Sequence, residues 1–211
     1  ASWLGEVEIT NSGNSKSDLM VGKGIGCLFI AWSENGNIYA HSLREDGILG
    51  SPEGLLLGDI NNDGNMDVIA TSKDDDRVIW FQNNGLENFT IHTITSSADG
   101  ARSIYAIDVD SDGDMDMLSA SENDFKISWY ENNGSENFLE HIITDSLYTA
   151  QSVYSIDIDD DGDMDVLSAS ENNNKIAWYE NNGSESFTER IITISADHAK
   201  CVYAADLDDD L

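Results

Sequence analysis

Residues 157–165 read Asp-Ile-Asp-Asp-Asp-Gly-Asp-Met-Asp, six carboxylates in nine positions around one glycine. Side chains of like charge at that density repel, so the loop needs something to neutralise it. Carboxylates fall at positions 1, 3, 5 and 9, glycine at position 6 permits a sharp turn, and position 7 can offer its carbonyl. Hard cations such as Ca²⁺ take about six to eight oxygen ligands at roughly 2.3–2.6 Å, which a tight oxygen-rich loop provides. Zn²⁺ would want His or Cys, absent here, and Mg²⁺ prefers to keep its waters. An EF-hand needs flanking helices and a bidentate acid at position 12. That position holds Ala70, Ser119 and Ser168 in the three complete loops, and the flanks alternate like strands. The chemistry expected is a calcium loop closing a β-hairpin.

The loop recurs. Its predicted ligands are Asp59, Asn61, Asp63 and Asp67, then Asp108, Asp110, Asp112 and Asp116, then Asp157, Asp159, Asp161 and Asp165. Eleven carboxylates thus share three sites, with Asn61 supplying a neutral oxygen in the first. Two charges on each ion offset most of the crowding, and ion binding becomes folding free energy.

The elements that must position these loops also repeat. Asp59, Asp108, Asp157 and Asp206 are 49 residues apart, as are Trp80, Trp129 and Trp178, and the turn glycines Gly85, Gly134 and Gly183. A strand is predicted at 103–107 before the loop. An alternating, half-buried strand is predicted at 116–121, a third strand at 126–132 with Ile127 and Trp129 on one face, and a fourth at 137–144. Asn133-Gly134 predicts a tight hairpin turn, because both residues tolerate positive φ. Four antiparallel strands per ~40–50 residues is the spacing of a β-propeller blade. The expected fold is all-β, a β-propeller-type array of four-stranded antiparallel blades in a single repeat domain over 1–211. The copies run 1–52 (degenerate), 53–101, 102–150, 151–199 and 200–211, about four blades with a fifth begun. The tryptophan at the centre of the third strand is expected to be inter-blade core.

Composition narrows the function. The net charge of −31 argues against nucleic-acid and anionic-membrane partners, and it suits cations. A chain that is 40% hydrophobic, with five Trp and seven Tyr, is too apolar for a disordered acidic tail. No run approaches the roughly 20 apolar residues of a membrane helix. No signal-type segment begins at Ala1, so the expectation is a mature chain. His41, His92, His141 and His198 are scattered, and no nucleophile motif or phosphate-binding glycine loop accompanies them. The chain is expected to be non-catalytic.

Loops such as DVDSDGDMD (108–116) and DINNDGNMD (59–67), each followed by an apolar strand, resemble the FG-GAP/VCBS repeats of bacterial surface proteins and integrin α-subunit propellers. ENNG and LSAS stand where the integrin-type signatures would be, which favours the microbial branch. The resemblance covers nearly the whole chain. It implies a calcium-stabilised propeller-type fold, extracellular or at the cell surface, concerned with adhesion, glycan binding or assembly. It also implies that Asn65, Asp114 and Asp163 coordinate through their backbone carbonyls.

The two ends depart from the pattern. Thr10, Ser12, Asn14 and Lys16 leave the first copy with only Asp18, whereas Asp206, Asp208 and Asp210 fill positions 1, 3 and 5 of the last. Two readings stay open: part of a longer propeller, or head-to-tail assembly into an oligomer or filament, with Asp206, Asp208 and Asp210 completing a composite intersubunit site beside a neighbour's Asp18. Cys27 and Cys201 are candidates for a disulfide. Asn88, Asn133 and Asn182 fit the glycosylation pattern. The predicted function is a non-catalytic calcium-binding structural or adhesive module. The alternatives are a propeller lectin, or a fragment of a larger propeller-containing enzyme.

Overall fold

The computed structural model describes residues 50–85 and 89–205 in full, and the backbone of strands at 19–24, 27–34 and 37–42. The chain forms two compact units, Ala1–Ile48 and Leu49–Leu211. The first contains β1 (Leu19–Gly24), β2 (Cys27–Glu34) and β3 (Asn37–Ser42), antiparallel in chain order.

The second unit is built from three sheets of four antiparallel strands, each a meander in chain order. They comprise β4 (Pro52–Gly58), β5 (Asp67–Ser72), β6 (Arg77–Asn83) and β7 (Phe89–Thr95); β8 (Ala101–Ile107), β9 (Asp116–Ser121), β10 (Ile127–Asn132) and β11 (Phe138–Thr144); and β12 (Ala150–Ile156), β13 (Asp165–Ser170), β14 (Lys175–Asn181) and β15 (Phe187–Thr193). These match the predicted strands within two residues, and the architecture is the expected blade-like repeat. No helix occurs among the described residues, so none is long and apolar enough to cross a membrane.

The second strand of each sheet corrects one expectation. Every residue of β5, β9 and β13 is buried, Ser and Asp included. Alternation reads as half-burial only when one face meets water, and β9 carries a core on each face, Met117 in one and Leu118 and Ala120 in the other. Each Ser or Thr on these strands therefore sits in the interior. Exposed residues concentrate instead on the fourth strands β7, β11 and β15.

Two cores lie between neighbouring sheets. Ile69, Val78 and Trp80 of the first pack with Ile104, Met117 and Tyr130 of the second, and Leu118, Ile127 and Trp129 pack with Val153, Val166 and Tyr179 of the third. Trp80 and Trp129 are fully buried, as predicted for inter-blade core. Phe138 meets the Trp80 ring edge-on at 6.4 Å, and Phe187 meets Trp129 in the same way at 6.4 Å, so each blade clamps the tryptophan of the one before.

The first strands run side by side. Val153 N–H donates to Ser103 Oγ at 3.3 Å, and Val202 N–H to Ser152 Oγ at 3.3 Å. The Tyr105, Tyr154 and Tyr203 rings follow one another at 4.8 and 4.7 Å. Across the rim, Glu122 of the second sheet's hairpin pairs with Lys73 of the first at 2.9 Å and with Arg102 on β8.

Candidate metal centre

Each acidic loop joins the first and second strands of its sheet. Gly58–Asp67, Ile107–Asp116 and Ile156–Asp165 are the last pairs of the three ladders, so position 9 is already strand. The intervening residues curl tightly. Position 4 (Asn62, Ser111, Asp160) takes a left-handed φ of 56–62°, and the glycine at position 6 takes 84–96°. A Cβ on those glycines would touch nothing, so backbone conformation alone selects glycine there.

The curl wraps backbone N–H groups around the carboxylates. Asp108 accepts from the N–H of Asp112 at 3.2 Å and of Gly113 at 3.0 Å, and Asp112 accepts from Asp114 N–H at 2.8 Å. The other loops repeat this. Asp59 accepts from Asp63 and Gly64 at 3.0 and 2.8 Å, and Asp157 from Asp161 and Gly162 at 3.2 and 2.9 Å.

Position 9 is where loop meets core. Asp67, Asp116 and Asp165 are fully buried. Asp116 accepts Val109 N–H at 3.0 Å on one oxygen and Asn132 N–H at 2.7 Å on the other. Asp165 does the same with Ile158 and Asn181 at 3.0 and 2.8 Å, and Asp67 with Ile60 and Asn83 at 3.2 and 2.7 Å. Trp80 Nε1 adds a third bond to Asp67 at 2.9 Å. The equivalent indoles of Trp129 and Trp178 help to lower the carboxyl pKa of Asp116 and Asp165 but sit outside strict hydrogen-bond geometry.

Oxygens of Asp108, Asp110 and Asp116 lie within 4.8 Å of one another, as do those of Asp157, Asp159 and Asp165. Positions 1, 3 and 9 therefore converge. Position 5 (Asp112, Asp161) stands outside that group, with a carboxylate oxygen turned to the position-7 N–H. In the first loop Asn61 fills position 3, and its amide donates to Asp63 at 3.1 Å. The side chains of position 7 take a place the sequence did not announce. Asn65 and Asp163 approach Gly85 and Gly183 so closely that a Cβ there would lie 2.7 and 2.5 Å from them, and Asp114 crowds Gly134 likewise.

The electrostatics favour a cation. Burial pushes the Asp116 carboxyl up to about 6, against the N–H groups of Asn132 and Val109 that pull it down. Asp67 and Asp165 are raised for the same reason. Asp110 is raised by burial and then by its Asp112 and Asp108 neighbours, and Asp159 by desolvation with the Asp161, Glu180 and Asp157 charges. An all-oxygen donor set of three converging carboxylates, with those at positions 3 and 9 held back from ionising, fits a hard divalent ion held at positions 1, 3 and 9.

The model of the FG-GAP-like repeat matches three overlapping stretches, 59–119, 108–168 and 157–211. The chain belongs to the FG-GAP-like repeat family. No curated protein matches it. Among solved structures, a Bacteroides uniformis protein assigned as a 6-phosphogluconolactonase is similar at TM-score 0.52 and 14% identity, over 86% of this chain and 55% of that one. The biofilm matrix protein Bap1 of V. cholerae is similar at TM-score 0.37 and 16% identity, over 81% of this chain and 34% of that one. The chain thus spans about half the length of the first and a third of the second. The first similarity speaks to the fold alone.

Other predicted sites are placed unevenly. Asn133 and Asn182 are exposed in the β10–β11 and β14–β15 loops. Those loops have five residues, with Gly134 and Glu136 at positive φ, rather than the tight turn expected with Asn133 left-handed. Cys201 is an exposed free cysteine. Asp18, Asn88, Asp206, Asp208, Asp210 and the Cys27 side chain lie outside the described residues.

Sequence reasoning missed two sets of partners. His92 and His141 stack on Trp80 and Trp129 at 4.4 and 4.5 Å, and they are themselves one repeat apart. Asn83, Asn132 and Asn181, the asparagines that bond position 9, also recur at 49 residues. That period was the signal available for both sets.

Proposed function

We propose that this FG-GAP-like repeat chain is a non-catalytic, calcium-stabilised structural or adhesive module that works outside the cell or at its surface. One observation carries the reading: a buried, doubly hydrogen-bonded aspartate recurs at position 9, with two further carboxylates converging on it in the second and third loops. Calcium supplies the charge that such a cluster lacks, and the loops then hold adjacent sheets at fixed spacing. Positions 1, 3 and 9 bind through side chains, and position 7 (Asn65, Asp114, Asp163) through its carbonyl.

Titration of CaCl2 into the chelator-stripped chain, followed by calorimetry, tests this. Binding of about three ions is expected, with thermal unfolding shifted upward. An ion at a thousand times its Kd adds about 4 kcal/mol per site. A chain that takes up no calcium and melts identically in chelator overturns the reading.

Self-association is a further part of the proposal. On the face of the third sheet Ile192 and Tyr203 are 58% and 72% exposed, whereas one repeat earlier Ile143 packs against the core between the second and third sheets and Tyr154 lies between the Tyr105 and Tyr203 rings. In the self-associating reading a second copy supplies a sheet of the same kind to that face; in a longer propeller the next repeat supplies it. Sedimentation in millimolar calcium that finds only monomers removes this part and leaves the calcium reading intact.

A further inference from the structure

The three loops are joined by a buried chain of hydrogen bonds that no single repeat contains. Asn132 ends β10 and is 4% exposed. Its N–H holds Asp116 of its own loop at 2.7 Å. Its side-chain amide donates to Met115 O at 3.1 Å and, 72 residues back, to Ile60 O at 3.3 Å in the loop of the preceding sheet. Ile60 in turn gives its N–H to Asp67 at 3.2 Å. Asn181 repeats the arrangement: its N–H holds Asp165 at 2.8 Å, its amide reaches Val109 O at 3.5 Å, and Val109 gives its N–H to Asp116 at 3.0 Å. A continuous path therefore runs Asp67–Ile60–Asn132–Asp116–Val109–Asn181–Asp165. Every member is buried; Asn132, at 4%, is the most exposed.

Ile60 and Val109 occupy position 2, between the position-1 and position-3 ligands of their loops. Fixing Asp116 on an ion fixes Asn132, and Asn132 fixes the Ile60 peptide between Asp59 and Asn61. At the rim the same loops touch again, where Asn62 donates to Gly113 O at 3.2 Å. We infer that Asn132 and Asn181 are positioning residues that couple neighbouring loops, so that an ion in one raises the affinity of the next. The inference rests on the calcium reading above. Ordering paid for by the first ion is not required again by the second, which gives cooperativity without a large rearrangement, and the effect must be reciprocal.

The test uses the full chain carrying Asp157→Asn, which leaves the loops at 59–67 and 108–116. Calorimetry with CaCl2 is expected to show the second ion binding at least about fivefold tighter than the first, the lower end of typical coupling. Asn132→Asp keeps an oxygen for Gly134 N–H and removes the amide donor to Ile60 O, along with the bond to Met115 O inside its own loop, so the two ions should then bind independently with the stoichiometry kept. A residue that merely supported the fold would change both affinities and leave their ratio alone. Should Asn132→Asp fail to fold, as circular dichroism reports, Asn181→Asp in an Asp59→Asn background asks the same of the other link. No binding heat from the unaltered chain overturns the calcium reading itself. Two bound ions with no cooperativity, or with cooperativity that survives the asparagine change, overturn the coupling alone.

Discussion

Asp116 is fully buried, and in the metal-free protein its carboxyl is pushed up to about 6, from an ordinary value of 3.8, chiefly by burial. The folded value lies above the unfolded one, so the metal-free folded state holds an extra proton in the window between them. Stability from this group is complete below the unfolded value and is lost as pH rises through about 6, a swing of roughly 3 kcal/mol. Asp67 and Asp165 shift in the same direction. Chelated protein should therefore melt higher at pH 5 than at pH 7, and Asp116→Asn should flatten that slope. With calcium the sign reverses, because acid competes with the ion for the same oxygens. Melting curves at two pH values, with and without chelator, check both signs.

At the scale of elements, the hairpin and the acidic loop depend on each other. Gly134 adopts φ +70°, and a side chain there would collide with Asp114 of the loop. Gly134→Ala should cost about 1–2 kcal/mol in urea unfolding for the left-handed backbone alone, with further loss from the displaced loop. How much of this was legible varied by element. Strand positions and loop ligands could be read because the 49-residue period superimposes weak local signals. Burial of both faces of β9 could not, because Ser119 and Ser121 look like solvent-facing residues until a neighbouring sheet is placed over them. The five-residue length of the β10–β11 loop escaped because Asn-Gly fits several turns, and only the strand register, Asn132 opposite Phe138, decides among them. Asn132 reads in the sequence only as the last residue of the third strand, since its second partner lies 72 residues away.

At the scale of the molecule, sheets are joined by packing within and by charge at the rim. Burial pulls the Glu122 carboxyl up, but Lys73 and Arg102 together outweigh it and hold it below the usual range. Its contribution is thus present above the unfolded value near 4.5 and disappears as pH falls through the lower folded value. Glu122→Gln should lower stability at neutral pH by up to about 1 kcal/mol, an effect that salt reduces. Once pH falls below that lowered folded value the variant and the parent should converge, as denaturation midpoints across pH would show. The opposite signs at Glu122 and Asp116 separate the rim contact from the ion sites in one experiment.

The loop tips carry one more consequence, for chemical ageing. Asn-Gly is the dipeptide most prone to deamidation, which begins when the glycine nitrogen attacks the preceding side-chain carbonyl carbon. Here Gly134 N–H is donated to Asn132 Oδ1 at 3.1 Å, and the Asn133 carbonyl oxygen is occupied by Ser135 N–H at 3.1 Å; Gly183 and Asn182 are held in the same way. The native hairpin thus withholds the nucleophile, and isoaspartate at Asn133 or Asn182 becomes a record of time spent unfolded.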